Sequence, residues 1–268
     1  MKILLNKDDL FEALKNASNL GFVPTMGSLH KGHVSLIKGS KKECTKTIVS
    51  IFVNPTQFNS KKDYEKYPRN MKRDLSVLGK LKVDFVFIPD KKDIYDFKRK
   101  KKIKILKKDK ILCAKFRKGH FEGVIDVMDR LIKIVKPKKI FMGEKDFQQL
   151  YFIKNYIKNK IKVISCKTIR DNQKLALSSR NNRFDNIGLK TARSISKNIY
   201  NLKKILKKEK NIQKILSSKK KELDILKNVK IEYLELRNKF TLKKTKKLRN
   251  SKIFIAYYIN DIRLIDNF

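Results

Sequence analysis

Three histidines occur in 268 residues, and each lies close to a glycine. His30 and His33 sit in Pro24-Thr-Met-Gly-Ser-Leu-His-Lys-Gly-His33, and His120 in Phe116-Arg-Lys-Gly-His-Phe121. Four of the nine glycines (Gly27, Gly32, Gly119 and Gly123) fall in or beside the same clusters, and a fifth, Gly143, opens a separate Gly-Glu-Lys-Asp segment. The first cluster links an apolar run to an amphipathic one, so it reads as strand, turn, helix. Pro24 and Gly27 let the chain turn, and Gly32 allows close backbone approach. His30 and His33, at i and i+3, share one face of the first helical turn. The free N–H groups and positive dipole end of that turn suit a phosphate. Two imidazoles there could donate hydrogen bonds to a triphosphate and to charge that grows in a transition state. The plainer alternative is a pair of surface histidines at a helix start.

These residues need a frame. Leu20–Pro24, Thr47–Asn54, Val83–Pro89, Lys139–Gly143 and Ile161–Thr168 read as short strands, β-branched and aromatic-rich. Helical patterns lie at about 8–17, 33–43, 70–81, 123–135 and 146–158. Such alternation predicts βαβ units: an α/β, Rossmann-like parallel sheet, with ligands outside the carboxyl ends of its strands. PTMG, NPTQF and GEKD each follow a predicted strand. The last third changes character. Residues 186–208 and 211–227 read as Lys-rich helices. Ile231–Leu236, Ile253–Ile259 and Arg263–Ile265 read as strands, the last two around an Asn260-Asp261 turn. The expected organisation is a catalytic domain over residues 1–175 and a smaller α+β domain over 176–268. The basic run 98–110 reads as a solvated loop with a short Ile103–Leu106 strand.

Composition excludes several classes. The net charge is +42, from 68 basic and 26 acidic residues, which raises the question of nucleic acid. Yet 56 of the 68 are Lys. Lys, Ile and Asn make up 107 residues, whereas Ala, Gly and Pro make up only 20. That is the signature of AT-rich codons. The excess is +25 over residues 1–170 and +17 over 171–268, a nearly even spread along the chain. Nucleic-acid readers also favour Arg for bidentate contacts. No specific nucleic-acid partner is expected, although weak adhesion to polyanions at low salt is. No window approaches the roughly 18 apolar residues of a membrane helix, and the N-terminus does not read as a signal peptide. Cys44, Cys113 and Cys166 lie far apart, which fits a reducing, cytoplasmic setting.

The HxGH turn resembles the signature of nucleotide-transferring α/β enzymes, adenylyltransferases and some tRNA synthetases among them. Its neighbours narrow the class. PTMGSLHKGHVSLI, SIFVNPTQF, DYEKYPRN, FRKGHFEGV, FMGEKDFQQL, LALSSRN and RLIDN stand in that order. Together they resemble the pantothenate synthetase (pantoate–β-alanine ligase) family over about residues 20–268, more thinly in the last third.

The resemblance implies a two-step acyl activation. Pantoate's carboxylate attacks the α-phosphate of ATP and pyrophosphate leaves. The amine of β-alanine then attacks the pantoyl adenylate and AMP leaves. By the same resemblance, His30, His33 and Lys145 are catalytic, with His33 a proton donor. ATP would lie against Met26, Gly27, Ser28, Leu29, His30, Lys31, Gly32 and His33. Gly143, Glu144, Lys145 and Asp146 would continue its site, with Ile169, Leu177 and the mobile phosphate clamp Ser178-Ser179-Arg180. Asn54, Gln57, Arg117, His120 and Gln149 would take pantoate and β-alanine. Amides are two-way hydrogen bonders suited to a hydroxy acid, although Asn54 before Pro55 could equally cap a turn. Arg69 and Asp74 read as scaffold, Asp74 with a weaker claim to a metal. ATP chemistry implies Mg²⁺, with ligands not identifiable from sequence, and relatives are typically dimers. A different HxGH nucleotidyltransferase, or a basic interaction protein without turnover, are the competing readings.

The chain departs from the family pattern at four places. Family members usually read DGLALSSRN, and here Gln173-Lys174 replace the Asp-Gly. Ala114 stands where a Gly is common, Lys31 where an acid is, and Asn260 where a Gly precedes RLIDN. None removes a proposed catalytic group. The expectation is a working enzyme that is slow or marginally stable.

Overall fold

The computed structural model describes residues 1–96, 103–156, 161–209 and 211–268. The strands are β1 (Lys2–Leu4), β2 (Leu20–Thr25), β3 (Lys46–Ile51), β4 (Phe85–Phe87), β5 (Lys139–Gly143), β6 (Lys162–Cys166), β7 (Val229–Asn238), β8 (Ser251–Ile259) and β9 (Ile262–Asn267). The helices are α1 (Lys7–Leu14), α2 (Lys31–Glu43), α3 (Lys61–Glu65), α4 (Met71–Lys80), α5 (Lys91–Ile94), α6 (Cys113–Phe116), α7 (His120–Val135), α8 (Phe147–Tyr156), α9 (Asn186–Ile205) and α10 (Ile212–Asp224).

The chain divides into two compact units. Met1–Glu144 with Gln148–Lys167 form the first, and Lys145–Phe147 with Thr168–Phe268 the second. The first holds a six-stranded sheet in the order β1-β4-β3-β2-β5-β6, parallel throughout. From β2 the chain builds outward through β3 and β4, then returns to the other side of β2 with β5. The reversal falls between β2 and β5, so their carboxyl ends are the switch point where open α/β sheets bind ligands. The HxGH turn leaves β2 and the GEKD turn leaves β5.

Periodicity explains the helices. In α7, Phe121, Val124, Ile125, Met128, Leu131, Ile132 and Val135 are all buried, an apolar stripe at steps of three and four. The helix starts three residues before the sequence pattern suggests, because Gly119 adopts φ +80° and lets the chain enter at His120. Val23, Ile37, Val49, Leu78, Val86 and Phe141 form part of the core of this unit. Strand β1 escaped the sequence reading because three residues carry too little alternation. The expected Ile103–Leu106 strand does not form. That segment is irregular and runs into a 3₁₀ turn at Lys107–Asp109, while residues 98–102 of the basic run lie outside the described residues.

The second unit carries the antiparallel sheet β7-β8-β9. Helix α9 packs Ala192, Ile195, Ile199 and Leu202 into a core with Leu236, Ile253, Ile255 and Tyr257. The predicted Asn260 turn joins β8 to β9, with Asn260 at φ +53°.

Candidate functional site

Between β2 and α2 the backbone is held from below by one carboxylate. Asp74, 1% exposed on α4, accepts the Ser28 N–H at Oδ2 and the Leu29 N–H at Oδ1, both at 2.7 Å. Both oxygens bond the turn, the contact expected of a scaffold residue. Gly27, at φ +77°, lies where an added Cβ would come within 3.0 Å of Asp74 Oδ2. Thr25 accepts the Gly27 N–H and donates to the Ser50 carbonyl, tying the turn to β3. Arg69 is likewise scaffold, donating to the carbonyls of Tyr64, Glu65 and Tyr67.

Helix α2 opens with its two histidines capping each other. His30 Nδ1 accepts the Gly32 N–H at 3.1 Å, and His33 Nδ1 accepts the His30 N–H at 3.3 Å. The rings lie 4.1 Å apart. A backbone N–H can only donate, so each Nδ1 carries a lone pair and each neutral imidazole holds its proton at Nε2. The turn therefore supplies two Nε2–H donors together with the helix N-terminus. Lys31 is exposed beside them.

A second group assembles beside Met26. The Asn54–Gln57 turn after β3 abuts α7 at Gly123, where a Cβ would lie 2.4 Å from the Thr56 carbonyl oxygen. Asn54 is 1% exposed. Its Oδ1 accepts from Thr56 N, Thr56 Oγ1 and Tyr95 Oη, at 3.3, 3.0 and 2.8 Å. Its Nδ2 donates to the Gly123 carbonyl at 3.2 Å and to Gln57 Oε1 at 3.3 Å. Gln57 Nε2 lies 2.9 Å from Met26 Sδ. His120 Nδ1 donates to the Gln57 carbonyl at 2.6 Å, so its Nε2 accepts from Arg117 Nη1 at 2.8 Å. Five expected site residues (Met26, Asn54, Gln57, Arg117 and His120) thus meet in one hydrogen-bonded group. Tyr95 and Thr56 belong to it and gave no sequence signal. Tyr95 stands 41 positions from Asn54, and only the packing of α5 on α7 brings them together.

The remaining expected residues lie as follows. Gly143 ends β5, and a Cβ there would meet nothing within 4 Å. Glu144, Lys145 and Asp146 form a 3₁₀ turn, with Lys145 Nζ 3.4 Å from Asp146 Oδ1. Gln149 is half-buried on the first turn of α8. In the second unit, Leu177 N–H donates to the Ile169 carbonyl, closing the loop that Arg170 and Ala176 bridge. Ser178 caps the next 3₁₀ turn by accepting the Arg180 N–H, and Ser179 is buried. Among the described residues no group of three His, Cys, Asp or Glu could hold a metal ion, and no helix is long and apolar enough to cross a membrane. No disulfide joins any of the three cysteines.

A parallel sheet with this histidine turn at its switch point defines a Rossmann-like α/β protein of the nucleotide-binding kind. The family model for pantoate-β-alanine ligase matches residues 3–268. A pantothenate synthetase of Sulfurihydrogenibium sp. (strain YO3AOP1) is 38% identical over 94% of this chain and 92% of its own length. Among solved structures, pantothenate synthetase from Thermus thermophilus superposes with a TM-score of 0.93 at 29% identity, covering 100% of this chain and 99% of that one. Pantoate-β-alanine ligase from Francisella tularensis, solved with β-γ ATP and β-alanine, gives 0.82 at 37% identity, covering 100% and 97%. The chain belongs to the pantoate-β-alanine ligase family.

Proposed function

We propose that the protein joins pantoate to β-alanine at the expense of ATP, forming pantothenate, AMP and pyrophosphate. The observation that carries this reading is the pair of Nε2–H donors on His30 and His33 at a helix N-terminus, on the carboxyl edge of the sheet. A carboxylate oxygen of pantoate attacks the α-phosphorus, and the bond to the β-phosphate bridging oxygen breaks. The two imidazoles stabilise charge on the phosphates, His33 as the proton donor. Lys145 adds a cation, Asp146 takes a ribose hydroxyl, and Gly143 leaves room for the nucleoside. Ser178, Ser179 and Arg180 hold the departing pyrophosphate. Gln57 and Gln149, with Asn54, Arg117 and His120, hold pantoate and then β-alanine. The amine of β-alanine attacks the acyl carbon of the adenylate and AMP leaves. Holding the reactants aligned is worth effective molarities of roughly 10⁵–10⁸ M.

Mg²⁺ enters as part of the ATP substrate, bound through its phosphate oxygens and water. We further propose a homodimer in the cytoplasm, the latter supported by the wide sequence spacing of Cys44, Cys113 and Cys166. The test is ATP consumption with Mg²⁺ and pantoate, with and without β-alanine. AMP and pantothenate in equal amounts, only when both substrates are present, is the expected outcome. Without β-alanine, pyrophosphate should be limited to about one per site, the bound adenylate of the first step; the same limit with β-alanine present would place a defect in the second step. Folded protein that binds ATP yet releases no pyrophosphate would overturn the reading.

A further inference from the structure

We propose that Tyr95 is a positioning residue for this reaction, acting through Asn54 to set the amide of Gln57. The proposal rests on the reading that Gln57 holds the hydroxy acid. The hydrogen-bond logic starts from groups with only one role. Thr56 N–H can only donate and the Gly123 carbonyl can only accept, so Asn54 must place Oδ1 toward the first and Nδ2 toward the second. Asn54 Nδ2 then faces Gln57, which must answer with Oε1. The Gln57 Nε2 amide protons are left on the Met26 side, against a thioether that is a weak acceptor. Gln57 is thereby fixed as a hydrogen-bond donor, the role suited to a carboxylate or hydroxyl oxygen.

Tyr95 closes this chain from behind. Its hydroxyl donates to Asn54 Oδ1 at 2.8 Å and lies 3.0 Å from Thr56 Oγ1. Its ring is held in place by α7. The Arg130 guanidinium lies 4.8 Å from the ring centroid, donates to the Ile94 carbonyl at 3.1 Å and pairs with Asp126 at 3.0 Å. Burial raises the phenol pKa, so the hydroxyl keeps its proton and its donor role at neutral pH.

The test is Tyr95→Phe, which keeps the ring and its contact with Arg130 and deletes only the hydroxyl. The expected result is a rise in KM for pantoate of about five- to tenfold, the worth of one hydrogen bond. The KM for ATP, kcat and the thermal midpoint should stay close to wild type, a split that a general loss of structure would not produce. The second arm is a double-mutant cycle on kcat/KM for pantoate with Gln57→Ala. Tyr95→Phe should have no further effect once Gln57 is gone. An unchanged pantoate KM in the single variant, or additive losses in the double, overturns the proposal. Wild-type protein whose AMP release ignores pantoate and β-alanine would instead overturn the underlying reading.

Discussion

At the first turn of α2 the two imidazoles are held by each other's backbone, so the geometry of the proposed phosphate site is local to four residues. That locality is why it was legible in the sequence: His30, Gly32 and His33 are close enough for spacing alone to set the face they share. Replacing His33 by Ala removes a donor and a cap together. The expected loss in pyrophosphate release is on the order of 10²–10³, against only about 1 kcal/mol of stability from the cap. Single-turnover kinetics beside urea unfolding would separate the two, and near-wild-type turnover would remove His33 from the chemistry. Asn54 was harder to read. Sequence left it between substrate contact and turn cap. In the fold its Oδ1 caps the turn by accepting the Thr56 N–H, a local contact, whereas its Nδ2 reaches the Gly123 carbonyl and its Oδ1 accepts from Tyr95, contacts 69 and 41 positions apart that no local pattern encodes.

At the scale of elements, the loop between β6 and α9 carries the most visible departure from the family pattern. Lys174 sits at φ +73°. That is the left-handed region, where a side chain costs about 1–2 kcal/mol and glycine almost nothing. Asp171 holds the loop in shape by accepting from Gln173 N and Leu175 N. Lys174 recovers part of the cost by placing its ammonium 5.3 Å from the Tyr200 ring centroid, a weak interaction at an exposed site. The strain should win. Lys174→Gly is expected to stabilise the protein by about 0.5–1 kcal/mol in chemical denaturation. A loss of stability would mean that the aromatic contact and the stiffer unfolded chain outweigh the backbone. Asn260 solves the same problem differently, at φ +53° in the β8–β9 turn, since Asn tolerates that region better than most residues.

At the scale of the molecule, an ion pair in the second unit joins the loop after β6 to the buried Asp266 of β9. Arg170 donates from Nη1 and Nη2 to the two oxygens of Asp266, at 2.6 and 2.8 Å, and stacks 4.2 Å from the Phe268 ring centroid. Burial raises the Asp266 pKa more than Arg170 and the Asn267 N–H lower it. A carboxyl raised in the folded state contributes its full stability below the ordinary carboxylate pKa, and loses it as pH rises through the raised value. Arg170→Ala leaves the charge buried and unpaired. It should cost about 3–5 kcal/mol at neutral pH. The deficit should shrink as the pH falls through the raised folded-state value, where the buried carboxyl takes up a proton and no longer needs a partner. A deficit that stays constant with pH, followed by urea unfolding, would show that Arg170 acts through packing on Phe268 alone.

The order of the central strands and the longer helices, the parallel sheet, the HxGH turn and the family were determined by the sequence itself, while β1 and the short helices α3, α5 and α6 were not. Each rests on short-range regularities: periods of two and 3.6, glycines and prolines at turns, and a few rare residues in a Lys-rich chain. The tertiary structure alone decided that Asp74 fastens the histidine turn, that Tyr95 joins Asn54, and that Arg170 meets Asp266 across 96 positions. Those contacts join residues far apart in the chain, and their partners are chosen by how the elements pack. A linear pattern holds no record of that choice, because many sequences with the same periodicities would pack the same elements with different side chains facing one another.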